Sequence, residues 1–154
     1  MTLIFRKAKK NDLDAIVDLL LNDILGRARE SIDESSMKKY LSAFEKIDSD
    51  PNQYLMVCEL NDQIVATCHL TLMPSLTFCG SLRLQIEAVR VHPDFRNKKI
   101  GTQMIKKAID FAKENEVGIV QLTMNAERKE AQNFYEKEGF KATHVGFKLD
   151  LNNK

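Results

Sequence analysis

Cysteine is scarce in this chain and poorly placed for pairing. Cys58, Cys68 and Cys79 are odd in number and show no C-x-x-C spacing. Such a set excludes a disulfide framework or a zinc cluster as the organising device and fits a reducing cytoplasm. Glycine and proline are also few, six and three, so no flexible linker divides the sequence. It holds no internal repeat and no low-complexity tract. No apolar run approaches the ~18 residues of a membrane-spanning helix. The opening Met1-Thr2-Leu3-Ile4-Phe5-Arg6-Lys7 lacks the apolar core of a secretory signal. Charge of one sign is missing too, because 23 Lys and Arg against 22 Asp and Glu leave a net charge of +1. General polyanion binders usually carry a strong basic excess, so neither nucleic acid nor a membrane surface is an expected partner.

What is present suits one soluble domain, in keeping with 154 residues, 44% hydrophobic and 29% charged. A chain of that length buries roughly 70% of its unfolded surface and needs no metal or disulfide staple. Leu3 to Ala8 reads as a short strand. Asn11 reads as a helix cap with Asp14 three residues on, and Leu13, Ile16, Val17, Leu20, Leu21 and Ile24 form one helical face that Gly26 can end. A second helix is expected over 30–47, with Met37, Tyr40, Leu41 and Phe44 on one side, and a break at 48–52. Tyr54–Leu60 and Gln63–Leu72 read as a hairpin across Asn61-Asp62, and 74–81 as a loop with Leu76 and Phe78 as candidate pocket walls.

The strand at Leu82–Val91 contains an irregularity. Leu82, Leu84 and Ile86 are apolar at even positions, Val89 and Val91 at odd ones. One inserted residue shifts a period of two in this way, so a β-bulge is expected at 87–89. A charged turn follows, then a helix over 100–115 with Ile100, Met104, Ile105, Ala108, Ile109 and Ala112 inward. A buried strand is expected at Gly118–Met124, a helix at Glu127–Glu138, and a closing strand at Phe140–Leu151. This order predicts an α/β fold with a mixed sheet.

The turn between strand and helix carries the chemistry. Its backbone N–H groups and those of the first helical turn lack intrahelical partners and form an anion site reinforced by the helix dipole. Arg96, Lys98 and Lys99 add positive charge at the helix end that disfavours it. Residues 90–107 hold six basic side chains and one acidic. A pyrophosphate would compensate them; a solvated basic turn is the other reading.

Three blocks here resemble the Gcn5-related N-acetyltransferase (GNAT) superfamily. Arg96-x-x-Lys99-x-Gly101 is similar to its Arg/Gln-x-x-Gly-x-Gly/Ala signature, with Lys99 standing where the family has its first glycine. Ile86-Glu87-Ala88-Val89-Arg90-Val91 resembles its bulged fourth strand. Ala131-Gln132-Asn133-Phe134-Tyr135-Glu136-Lys137-Glu138-Gly139-Phe140 resembles its A-x-x-F/L-Y-E-K-x-G-F segment. The resemblance implies a mixed, mostly antiparallel sheet with helices on both faces and splayed fourth and fifth strands. It implies transfer of an acetyl group from acetyl-CoA, as cosubstrate and without a metal, to a primary amine of a small molecule or peptide. Val89 and Val91 would hydrogen-bond the pantetheine arm, and Arg96, Asn97, Lys98, Lys99, Ile100, Gly101 and Thr102 would surround the pyrophosphate. The acetyl carbonyl would face a backbone N–H near the bulge.

The acceptor amine must lose a proton to attack, since a lysine-like amine titrates near 10.4. Glu87 is the candidate base or substrate-orienting group; an exposed strand carboxylate is the plainer reading. Tyr135 is the candidate acid for the departing thiolate; a packed helix aromatic is the alternative. Asn125 could contact pantetheine but reads better as a cap. His69 reads as a surface or satisfied core histidine in preference to a pocket lining, and His92 as part of the turn. The cysteines read as small buried hydrophobes. Residues 12–62 carry twelve acidic and five basic side chains, which favours a cationic acceptor if they flank it. The competing function is a non-catalytic acyl-CoA-binding regulatory module with a degenerate site, which Lys99 keeps open. A homodimer is an arrangement the resemblance allows.

Overall fold

In the computed structural model, which describes residues 2–152, the chain divides into two compact units, Met1–Leu122 and Thr123–Lys154. The first unit carries a five-stranded sheet in the order β1-β2-β3-β4-β5. The strands are β1 Ile4–Lys7, β2 Gln53–Leu60, β3 Gln63–Met73, β4 Arg83–Val91 and β5 Ile119–Leu122. The first three pairings are antiparallel and β4–β5 is parallel, so the sheet is mixed as expected. The helices of this unit are α1 Leu13–Leu21, α2 Glu34–Ser49, the short turn α3 Thr77–Gly80, and α4 Ile100–Glu114.

Alternation along β2 assigns the helices to opposite faces. Leu55 and Val57 cluster with Ile16 and Leu13 of α1 and with Phe44 and Ile47 of α2. The neighbouring Tyr54 points the other way, and its ring lies 4.8 Å from that of Phe111 on α4. Ile100, Met104, Ile105, Ala108 and Ala112 form the buried stripe of α4, while Ile109 is half-buried. Full burial of each large side chain in such a stripe is worth about 1.5–3 kcal/mol.

Local chemistry explains the boundaries. The 3₁₀ turn at Lys10–Asp12 starts α1 one residue later than a cap at Asn11 would, because the Asp12 carboxylate accepts from Lys9 N at 2.7 Å. Arg6 holds that carboxylate with two bonds and reaches Glu59 of β2 with two more. α1 stops at Leu21, before Gly26, which sits in a separate 3₁₀ turn. α2 is capped by Asp33, whose side chain accepts from Ser36 N, and runs two residues into the expected break, to Ser49. The Asn61-Asp62 hairpin has both central residues left-handed, at φ 49° and 62°, as a type I′ turn requires.

Three expectations fail. β5 spans only Ile119–Leu122 and is half-buried throughout, the last strand of the sheet among the described residues. The 74–81 loop contains α3, with Phe78 and Cys79 left-handed at φ 52° and 57°, and Cys79 is exposed where burial was expected. No strand forms over Phe140–Leu151. The alternation there is strand-like, but a strand needs a ladder to satisfy its backbone, and no pairing is formed by this segment among the described residues. In the second unit, α5 spans Lys129–Lys137 and contains no buried residue. Among the described residues no helix is long and apolar enough to cross a membrane.

Candidate active site

The β4 bulge is formed as the phase slip predicts. Thr67 pairs with Arg90 and His69 with Glu87, so Ala88 and Val89 together oppose Cys68. Ala88 takes the insertion in a left-handed conformation, φ 51°. Pairing of β4 with β5 ends at Ile86–Leu122. From Glu87 onward β4 is paired with β3 and, among the described residues, with no strand on its other edge, which is the open edge of this strand. His92 N donates to Val65 O of β3 at 2.8 Å, so the alternation turns the backbone groups of Val91, and of Val89 two residues earlier, toward that open edge. The Val91 carbonyl is met there by Arg96 Nε at 3.4 Å, and the Val89 carbonyl by Arg90 Nη1 at 2.8 Å.

The basic turn continues directly from this edge. His92 Nδ1 accepts from Asp94 N, which sets a short 3₁₀ turn over Pro93–Phe95 and confirms His92 as a turn residue. Arg96, Asn97, Lys98 and Lys99 are all exposed, and Lys98 Nζ lies 4.9 Å from the centre of the Phe95 ring. Asn97 and Lys99 are left-handed, at φ 61° and 59°. Lys99 therefore adopts the conformation that glycine takes without strain, although it is not glycine. It is the N-cap of α4 without a side-chain cap, and Ile100, Gly101 and Thr102 form the first helical turn. Their N–H groups lie in the first turn, which α-helices leave without intrahelical partners. Glu87, Val89, Val91 and residues 96–102 thus form one continuous strand–turn–helix surface.

Glu87 has a neighbour that sequence reasoning set aside. The Glu87 side chain is 53% exposed, and its Oε1 lies 3.9 Å from Nδ1 of His69, directly across the ladder. His69 Nε2 donates to Gln53 Oε1 at 2.6 Å, and Thr71 Oγ1 donates to the same oxygen at 2.9 Å. With its proton on Nε2, the neutral ring presents a bare Nδ1 toward Glu87. Burial pushes the His69 pKa below 6.5, and the Glu87 charge opposes that shift only in part. The signal that could have exposed this group was the hairpin register, which sets Gln53 opposite Thr71 and one strand away from His69.

Several acids counted toward the acceptor side have structural partners. Asp23 is buried and lies 3.5 Å from Arg90, Asp12 and Glu59 hold Arg6, and Asp48 pairs with Lys7. Leu76 and Phe78, the candidate pocket walls, are 97% and 70% exposed.

In the second unit Tyr135 lies on α5 between two rings, 5.1 Å from Phe134 and 6.0 Å from Phe140. Asn125 accepts from Glu127 N at 2.9 Å through its side chain, which forms a turn ahead of α5 and not the helix cap expected of it; the N-cap position is Arg128, without a side-chain cap.

The sequence model of the acetyltransferase (GNAT) family matches residues 18–140, most of the chain and all three motif blocks. The chain belongs to this family. It is 31% identical over 152 residues to an uncharacterised N-acetyltransferase of Methanocaldococcus jannaschii, which covers 94% of this chain and 63% of that protein. It is 29% identical over 98 residues to the aminoalkylphosphonate N-acetyltransferase of Salmonella typhimurium, covering 64% of this chain and 63% of the relative. The chain thus spans less than two thirds of the length of either. A crystal structure of a protein described as a transcriptional regulator from Bacillus halodurans superimposes with a TM-score of 0.94 at 39% identity, covering 97% of this chain and 100% of that one.

Proposed function

We propose that this GNAT family member is an N-acetyltransferase that moves an acetyl group from acetyl-CoA to a primary amine, of a small molecule or peptide, by direct attack in a ternary complex. We read its 154 residues as a single acetyltransferase domain. The observation that carries the proposal is the open edge of β4. A bulge at Ala88 leads to an edge that Val89 and Val91 face and that β5 does not pair, and this edge runs straight into a cationic turn at an α-helix N-terminus. An extended amide-bearing arm that ends in a pyrophosphate fits such an edge followed by such a turn.

Acetyl-CoA supplies an activated thioester, which a neutral amine converts to an amide with release of the thiol. The chain's own groups do the rest. Val89 and Val91 would hold the arm by backbone hydrogen bonds. Arg96, Lys98 and Lys99, with the N–H groups of Ile100, Gly101 and Thr102, would hold the phosphates, Asn97 shaping the turn. The exposed Glu87 carboxylate would bind the acceptor ammonium. Its proton would pass to the Glu87–His69 pair, whose bare Nδ1 can accept it. A backbone N–H at the bulge would face the developing oxyanion. Tyr135 would donate its phenolic proton to the departing thiolate.

A cationic or zwitterionic small amine is the acceptor class we favour. The carboxylate of Glu87 is an exposed negative charge beside the bulge, and the Salmonella relative is named for a small aminated substrate. The test is thiol release from acetyl-CoA across a panel of primary amines. Turnover lost in both Glu87→Gln and Tyr135→Phe supports the assignments, and wild-type rates in both would sink them. A second reading, an acyl-CoA-binding regulatory module without turnover, is favoured by Lys99 in the glycine position and by the description given to the Bacillus halodurans protein. Saturable acetyl-CoA binding with no thiol release on any amine would establish that reading instead.

A further inference from the structure

The two faces of β4 lie in different environments. Leu84 and Ile86 are fully buried on one face. Arg83 and Gln85, half-buried, and the exposed Glu87 share the other. This second row is ordered as a cation, a neutral amide and an anion. Glu87 faces the acceptor amine in the proposed reaction, whereas Arg83 and Gln85 have no part in it.

Arg83 is held more firmly than a solvated surface arginine. Its Nη2 donates to Thr77 Oγ1 at 2.7 Å, and its Nη1 reaches Gln121 Oε1 of β5 at 3.5 Å. Its guanidinium carbon lies 5.5 Å from the centre of the Phe78 ring. Thr77 and Phe78 belong to the turn in which Phe78, Cys79 and Gly80 are all left-handed, so strained backbone sets two of these contacts. The charge itself is unanswered. No carboxylate among the described residues of the first unit pairs with Arg83, and its Nε is buried without a hydrogen-bond partner. Gln121 Nε2 donates to Gln85 Oε1 at 2.9 Å, which leaves Gln85 Nε2 as a further donor on the same face. A fixed guanidinium beside an amide donor matches a planar anion, and one cation balances one negative charge. A carboxylate meets both conditions.

The spacing of the row limits the rest of the ligand. Arg83 and Glu87 are four residues apart, about 14 Å along the strand, with Gln85 between them. Arg83 leans toward Gln121, which stands opposite Gln85, so its guanidinium lies roughly one two-residue repeat, about 7 Å, from the level of Glu87. An extended chain of about five carbons spans that distance.

We propose that the acceptor is a primary amine with a carboxylate at its far end, the ammonium at Glu87 and the carboxylate at Arg83 and Gln85, so that Arg83 sets acceptor specificity. The amine's place at Glu87 rests on the acetyl-transfer reading above; the anion site at Arg83 does not.

Thiol release from acetyl-CoA is measured with 6-aminohexanoate, hexylamine, 1,6-diaminohexane and glycine. Wild type should favour 6-aminohexanoate over hexylamine by roughly ten- to hundredfold in kcat/KM, the range expected of hydrogen bonds to a charged group. Arg83→Gln should bring that ratio near one, and Arg83→Glu should favour the diamine over the amino acid. A merely structural Arg83 would lower all the rates together and keep the wild-type ratios, which overturns the proposal. A wild type that fails to favour 6-aminohexanoate over hexylamine overturns it without recourse to a variant. Glycine as good an acceptor as 6-aminohexanoate overturns the spacing, and the proposal with it. Thiol release with no amine at all would mean that the transfer reading has failed. Isothermal titration of 6-aminohexanoate and hexylamine into wild type and Arg83→Gln then decides the anion site. Tighter binding of the amino acid, lost in Arg83→Gln, supports it; equal binding, or none, overturns it.

Discussion

Replacing Glu87 by Gln removes a charge 3.9 Å from His69 Nδ1 while keeping the side chain's size. Two unit charges at that distance interact by about 1 kcal/mol in a water-like medium and about 4 kcal/mol at an effective dielectric of 20. Glu87 is 53% exposed, so the weaker figure applies. The sign follows from the two influences on His69. Burial lowers its pKa below 6.5 and the carboxylate raises it, so deleting the carboxylate lowers it further. The acidic limb of the pH–rate profile, where protonated His69 can no longer accept a proton, should move down in Glu87→Gln. Removing the group that binds and helps deprotonate the acceptor should also cost about 10²–10³ in kcat. Thiol release measured against pH under saturating acetyl-CoA and amine reads both quantities. A limb that stays in place, or moves upward, refutes the coupling of Glu87 to His69. A kcat within threefold of wild type refutes the role of Glu87.

Lys99→Gly relieves a left-handed non-glycine residue, worth about 1–2 kcal/mol, against about 0.5–1 kcal/mol of added chain entropy. Urea melts of the ligand-free protein should show a gain of about 0.5 kcal/mol, while acetyl-CoA binding should weaken and lose part of its salt dependence; a less stable variant would contradict the strain argument. Arg6→Ala leaves Asp12 and Glu59, 11% and 18% exposed, as adjacent carboxylates without their cation. The expected loss is about 3 kcal/mol in the same melts, and a loss under 1 kcal/mol would show the cluster to be solvent-screened. The Arg6 hydrogen bond holds the Asp12 carboxyl below the usual carboxylate range, so its contribution is complete above pH 3.8 and is lost as pH falls toward the folded-state value; acid melts of wild type should therefore be steeper there than those of Arg6→Ala. Burial pushes the Cys58 thiol up to about 11 and that of Cys68 up to about 12, while Cys79 is exposed. A thiol reagent at pH 8 should label Cys79 alone in the native protein, and fast labelling of either other cysteine would contradict the packing of the sheet.

Features that depend on one strand or one helix were legible in the sequence. The phase slip between Ile86 and Val89 located the bulge because it is a local count of residues, and the apolar spacing of 100–112 located the buried stripe of α4 for the same reason. Features that depend on what lies alongside were not. The Gln53–His69–Thr71 group requires the register of β2 against β3, which no periodicity supplies. The alternation at 143–151 states that a strand is wanted without stating what it pairs with. Cys79 was misplaced because burial was expected from the residue type alone, whereas the left-handed turn at Phe78 and Cys79 turns that stretch to solvent.

The shortage of glycine has a consequence at the active site. Eight non-glycine residues among those described have positive φ, and three of them, Ala88, Asn97 and Lys99, fall within twelve residues of one another. Asn tolerates that region, but Ala and Lys do so at a cost of about 1–2 kcal/mol each. Such strain persists only where the surroundings hold it in place. Ala88 is held by the β3 ladder on both sides of the insertion, and Lys99 by α4, whose Gln103 N donates to its carbonyl at 3.0 Å. At Lys99 a glycine would relieve the strain but remove a cation from the phosphate end of the surface. That substitution is informative because its effects on stability and on acetyl-CoA affinity should have opposite signs. A residue retained only by chance would show the first effect without the second.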